Sequence, residues 1–111
     1  MRWLNLTEQT IIYHNGDDMQ IFPPVGSRLE TRQQIHPVKL DDDIVCAMRT
    51  LILDDSVSKF EPKSDVLIVY ETTALRYAKV ENRPYFAVID TETATRDEDG
   101  QIVSVSRFFI S

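Results

Sequence analysis

A thiol and two imidazoles supply the nucleophile-and-base chemistry this chain could offer: Cys46, with His14 or His36 as partner. A nucleophilic thiol needs exposure and a lowered pKa. Cys46 instead stands between Val45 and Ala47 in an apolar run, which predicts a packed core cysteine. Zinc takes three or four nitrogen or sulfur ligands at short spacings. His14, His36 and Cys46 are far apart and form no Cys-x-x-Cys, so neither metal nor cofactor is expected. Carboxylates cluster at Asp17-Asp18, Asp41-Asp42-Asp43, Asp54-Asp55 and Asp97-Glu98-Asp99. Each cluster falls at an expected turn, where aspartate satisfies backbone donors and stays hydrated. None alternates its oxygens as a calcium loop does. The reading is a protein without catalytic residues.

Binding chemistry is better represented. The three glycines, Gly16, Gly26 and Gly100, are isolated and build no phosphate cradle. Arginines can take an anion through planar bidentate contacts, and Arg32, Arg76, Arg83 and Arg96 adjoin expected strand or helix ends, where an ordinary surface ion pair is the alternative. The polar segment from Asp90 through Thr91, Thr93 and Thr95 to Arg96 joins two expected strands without glycine or proline. Its hydroxyls either line a pocket or decorate an exposed edge strand. Asn5 and Thr7, alternating with apolar Leu4 and Leu6, present a similar polar face. Trp3, Tyr13, Tyr70, Tyr77 and Tyr85 could stack a base, against the ordinary fate of core packing. The ligand-lining set is therefore Asn5, Thr7, Thr72, Thr73, Asp90, Thr91 and Arg96, with Arg76 and Arg83 as anion contacts.

The elements that must position these residues read mostly as strands. Thr10–Tyr13 and Met19–Phe22 flank Asn15-Gly16-Asp17-Asp18, a hairpin signal because Asn and Gly tolerate positive φ. Pro23 and Pro24 end that ladder. Arg28–Ile35 alternates with a mixed apolar face, and Pro37 marks an edge. Ile44–Leu53 is apolar on both faces except at Arg49 and Thr50, which predicts a central strand. Residues 54–63 read as a packed loop held by Val57 and Phe60, and Asp65–Tyr70 is the clearest strand. Thr72 or Thr73 is expected to cap a two-turn helix in which Ala74, Leu75 and Ala78 share a face. Tyr85–Asp90 is a further strand, and Asp99-Gly100 predicts a hairpin from about Thr93 to Val105. The sum is one mainly β (α+β) domain over residues 1–111. It reads as a small antiparallel barrel or sandwich of about seven strands with one short helix.

Composition narrows the classes of function. The chain has 111 residues with 12 Lys+Arg against 18 Asp+Glu, a net charge of −6 that disfavours direct nucleic-acid binding. The charge divides as nine acids against five bases over residues 1–55 and nine against seven over 56–111, too even for a DNA mimic. No apolar run approaches the roughly 20 residues of a membrane span. A single cysteine and the lack of a secretory apolar region lead one to expect a reducing cytoplasm, that of a host cell if the chain is phage-encoded. Apolar Phe108 and Phe109 near the terminus point to a homo-oligomer.

Trp3-Leu4-Asn5-Leu6-Thr7 with Ile11-Ile12-Tyr13 resembles a group of small phage, prophage and bacterial proteins that open on an LNLTPH-type strand. Further matches are Ile21–Gly26, Asp65–Tyr70, the Asp90-Thr91 step and the Arg96–Val103 hairpin, in the same order along nearly the whole chain. Glu8-Gln9 replaces the group's Pro-His. The resemblance implies mobile-element company, where small acidic proteins counter host defence. One expectation is a binding protein without turnover that sequesters a defence-signalling nucleotide. The alternative is an acidic inhibitor that occupies a host defence or nucleic-acid-binding protein.

Overall fold

A computed structural model describes residues 1–53 and 55–111. Its centre is built by the two segments that are apolar without interruption. Strands β6 (Asp65–Val69) and β7 (Tyr85–Ile89) lie parallel, joined through the short helix α1 (Glu71–Arg76). Strand β1 (Arg2–Asn5) adds in parallel on the free side of β6, and β10 (Phe108–Ile110) pairs antiparallel with β7. The resulting order is β1-β6-β7-β10. Parallel strands are covered on both faces, and the alternation along β6 and β7 shows how. Leu67, Val69, Phe86 and Val88 meet Leu6, Val57, Ala74 and Tyr77 on the helical side. Val66, Ile68, Ala87 and Ile89 meet Ile11 and Val105 on the other.

That second face is roofed by two hairpins outside the central sheet. Hairpin β2–β3 (Ile11–Asn15, Asp18–Phe22) turns at Gly16, whose φ of +62° suits a residue without a Cβ. Hairpin β8–β9 (Thr95–Arg96, Ile102–Ser104) turns at Gly100 and touches β2 through a Tyr13–Val105 bridge. Both hairpins stand where the turn residues predict them. The mainly β character with one short helix holds. The described residues form four separate sheets with no closed barrel, and the central sheet is largely parallel rather than antiparallel. The segment expected as a packed loop contains a 3₁₀ turn (Asp55–Lys59) that buries Ser56 and Val57.

Two local expectations change. Neither Thr72 nor Thr73 caps α1; Tyr70 holds the N-cap position with no side-chain bond, and both threonines lie inside the first turn. The run ending at Leu53 is not a central strand. Among the described residues strand β5 (Cys46–Leu53) pairs only with β4 (Thr31–Val38), making a two-stranded arm outside the core. Cys46 is accordingly half-buried on that arm, not a core cysteine. The reason lies in its partner: β4 carries Arg32, Gln33, Gln34 and His36, which could not be desolvated on both faces. The molecule extends 63 × 37 × 21 Å, with a radius of gyration of 17.6 Å against about 13 Å for a compact chain of this length.

Two buried carboxylates anchor the sheet. At the start of β6, Asp65 accepts from Arg2 Nε and a terminal guanidinium nitrogen at 2.9 and 2.8 Å, and from the Glu61 N–H at 2.9 Å. The Arg2 bonds, then the Glu61 N–H, hold its pKa below the usual carboxylate range, while Arg2 is raised in turn. A carboxylate lowered in the folded state stabilises above its unfolded pKa of about 3.9, and that contribution disappears as pH falls through the lower folded value. Asp90, at the end of β7, behaves alike. Replacing both by asparagine is expected to flatten the fall of melting temperature below about pH 4. Parallel wild-type and variant melting curves in acid would contradict the assignment.

Candidate functional site

On the face roofed by the β2–β3 hairpin, four aromatic rings from four strands converge. Trp3 of β1 and Phe108 of β10 come from the two edge strands of the central sheet, and their ring centroids lie 5.6 Å apart. Phe22 of β3 meets Trp3 at 5.9 Å and Phe108 edge-on at 6.4 Å. Tyr13 of β2 stacks on Phe108 at 6.1 Å with 20° between the planes. The alternation that buries Val66 and Ile68 on this face also puts Trp3 here, because Trp3 pairs with Val66. These rings line a hollow of about 470 Å³ together with Asn15, Gln20, Ser106, Arg107 and Ile110. The volume lies within the range of small-molecule sites.

Arg107 supplies the charge at the rim. Its Nε donates to Asp90 Oδ2 at 2.5 Å, and its guanidinium lies 5.1 Å from the Phe109 ring centroid. The arginine side chain is 58% exposed while Asp90 is 1% exposed, so a buried anion fixes a cation that still faces solvent. Among the described residues the two terminal guanidinium nitrogens have no partner, leaving a donor fork for an anion. Asp90 also accepts from the Thr93 hydroxyl at 2.7 Å and the Glu92 N–H at 3.1 Å. The Thr93 bond, then Arg107, lowers its pKa, so it stays ionised beside the arginine. Aromatic faces with a fixed guanidinium can hold a flat ring and an acidic substituent. The titratable groups lining the hollow are Tyr13 and Arg107. Among the described residues no group of three or more His, Cys, Asp or Glu side chains could hold a metal ion.

The residues singled out by sequence fall into separate places. Six of them sit at or just beyond the carboxyl ends of the three parallel strands: Asn5 and Thr7 after β1, Thr72 and Thr73 after β6, Asp90 and Thr91 after β7. Asn5 and Thr7 are buried and bond to each other and to nearby carbonyls, so they act as an internal staple. Thr7 and Thr73 share a gap of only about 40 Å³ with Leu6 and Tyr70. Thr72 and Arg76 are exposed on α1, away from the aromatic hollow. Arg83 donates to the carbonyls of Pro84 and Ser111, both at 3.1 Å, and covers the Phe86 ring. Arg96 donates to the Gly100 and Thr91 carbonyls, which gathers Asp90, Thr91 and Arg96 around one turn. Only Asp90 of the set reaches the hollow, and it does so through Arg107.

Of the aromatics considered for stacking, Trp3 and Tyr13 line the hollow. Tyr77 is core, its hydroxyl donating to the Glu30 carbonyl, and Tyr70 accepts from Gln9 at 3.2 Å. Phe108 is part of the aromatic cluster rather than a free terminal patch. Arg107 carries no mark of its own in the sequence, because it alternates with Val103, Val105 and Phe109 as a residue on one face of a strand would. In the fold, β9 and β10 are separate strands, and Ser106 and Arg107 turn between them. The available signal lies in its neighbours, the two phenylalanines that follow it. No protein-family model, curated protein or solved structure matches the chain.

Proposed function

We propose that this chain is a binding protein without turnover, holding a small ligand that carries a flat ring and an acidic group. The aromatic hollow beside Arg107 carries the reading: Trp3, Tyr13, Phe22 and Phe108 offer ring faces, and the Asp90-held guanidinium offers the anion contact. A nucleotide has both features. The resemblance to phage and prophage proteins favours a defence-signalling nucleotide, kept from its receptor in a host cytoplasm. Sequestration needs affinity and no acid–base machinery, which suits a hollow whose titratable lining is Tyr13 and Arg107.

The test is incubation of the protein with a nucleotide panel, analysis of the free pool, and heating to release what was held. Intact nucleotide recovered only after heating is the expected result. Altered nucleotide would make the chain an enzyme, and an undepleted pool would sink the binding reading. Trp3 is the one tryptophan, so its emission reports occupancy directly. Trp3→Ala is expected to weaken binding by about 1–3 kcal/mol, the worth of one aromatic–base stack, or roughly 5- to 150-fold. Arg107→Lys keeps a charge yet loses the planar fork, and a weaker interaction with anionic ligands only is expected. Unchanged affinity in both variants would place the ligand elsewhere.

A further inference from the structure

The β4–β5 arm is built as though half of its contacts were missing. Each strand has eight residues, a length of about 26 Å, and among the described residues neither pairs with a third strand. A lone two-stranded hairpin is marginally stable in water. This one nonetheless exposes Ile35, Leu40, Ile44, Val45 and Met48, the valine completely. The sequence of β5, CAMRTLIL, contains neither the proline nor the lysine that usually blunts an open edge.

Charge identifies the occupant. Residues 31–53 contain three bases, Arg32, Lys39 and Arg49, and three acids, Asp41, Asp42 and Asp43. The arm is therefore neutral, and the whole net charge of −6 lies on the rest of the chain. Two copies repel through their bodies and can meet on their arms. Along the arm the charges are unevenly placed: the strands hold Arg32 and Arg49 and no carboxylate, while the tip holds the three aspartates with Lys39, whose Nζ lies 3.2 Å from Asp42 Oδ1, and so keeps a net charge of −2. At the base lies a hollow of about 350 Å³ lined by Ser27, Arg28, Ser56 and Lys59, with Glu30. Antiparallel arms put each acidic tip against the other copy's basic shaft and base, and a two-fold axis satisfies both contacts at once. A nucleic acid would face the aspartate tip and be repelled.

We infer that the arm is a self-association element, through which two copies of this chain dock antiparallel, acidic tip to basic shaft. The inference goes beyond ligand binding and uses none of the residues lining the aromatic hollow.

Charge reversal tests it in the intact chain. Asp42→Lys/Asp43→Lys reverses the tip while keeping Asp41, whose Oδ1 accepts the Asp43 N–H at 2.8 Å and closes the turn. Arg32→Glu/Arg49→Glu reverses the shaft; all four positions are exposed. Wild type is expected to sediment as a concentration-dependent dimer, and each double variant to dimerise at least about tenfold more weakly. Mixing the two variants should restore the dimer, because lysine tips then meet glutamate shafts and aspartate tips meet arginine shafts. Restoration also shows that both variants are folded. A wild-type monomer at every concentration would overturn the inference, including one whose arm binds duplex DNA or anionic vesicles instead. So would a dimer that neither variant weakens, or a mixture that stays monomeric.

Discussion

Truncating Phe86 to alanine is expected to cost about 3–5 kcal/mol, the range for deleting a buried phenylalanine ring. Phe86 is fully buried on β7, at the middle of the face that packs against α1. Tyr77 meets its ring edge-on at 6.4 Å and 84°, and the Arg83 guanidinium lies 4.4 Å from its centroid. Removing the ring opens a cavity between the helix and the sheet, and it takes away the surface on which Arg83 rests. Collapse is restrained because Tyr77 is held by its hydroxyl bond to the Glu30 carbonyl. A domain of this size has about 5–15 kcal/mol of stability in all, so the loss removes from about a fifth to the whole of it. Urea denaturation measures it as a lower midpoint at unchanged slope. A loss below about 1 kcal/mol would mean that this face is not the packed core described here.

The second large effect falls on a residue that looks like a binding group. Asn5 is 1% exposed and uses its whole amide internally. Its Nδ2 donates to the carbonyls of Gln9 and Phe22, both at 2.8 Å, and its Oδ1 accepts from the Thr7 N–H at 2.9 Å and the Thr7 hydroxyl at 2.6 Å. It thereby ties β1 to the turn after it and to the end of β3. Asn5→Asp keeps the shape but aims a carboxylate at two carbonyl oxygens. With each of the two buried orphans costing about 1–3 kcal/mol, a loss of roughly 2–6 kcal/mol is expected. Thr7→Val removes one hydroxyl at constant shape and is expected to cost about 1 kcal/mol. Because Phe22 lines the aromatic hollow, the Asn5 variant should also weaken ligand binding, whereas a ligand contact would change affinity and leave the melting temperature alone. That second pattern would return Asn5 to the binding site.

This staple explains why Asn5-Leu6-Thr7 is legible as a motif and misleading as a site. Alternating polar and apolar residues announce a strand with a polar face; whether that face meets ligand or backbone depends on what packs above it. Here the carbonyl of Phe22, seventeen positions away, supplies the partner. The same logic separates β6 from β5. Both read as apolar on two faces, yet only β6 acquires neighbours on both sides. Asp90 is the converse case, a carboxylate marked for a site whose contribution passes through Arg107, a residue the alternation of its strand concealed.

Local chemistry was decided within the chain: the two glycine hairpins, the apolar runs of β6 and β7, the short helix, and the acidic turns at Asp41–Asp43 and Asp97–Asp99. Those depend on φ preferences and on burial of contiguous apolar surface, both properties of neighbouring residues. The parallel core, the aromatic hollow and the projecting arm were decided by tertiary structure alone. Each depends on contacts between residues distant in sequence, Trp3 with Phe108 above all, and no local preference encodes which distant surfaces meet.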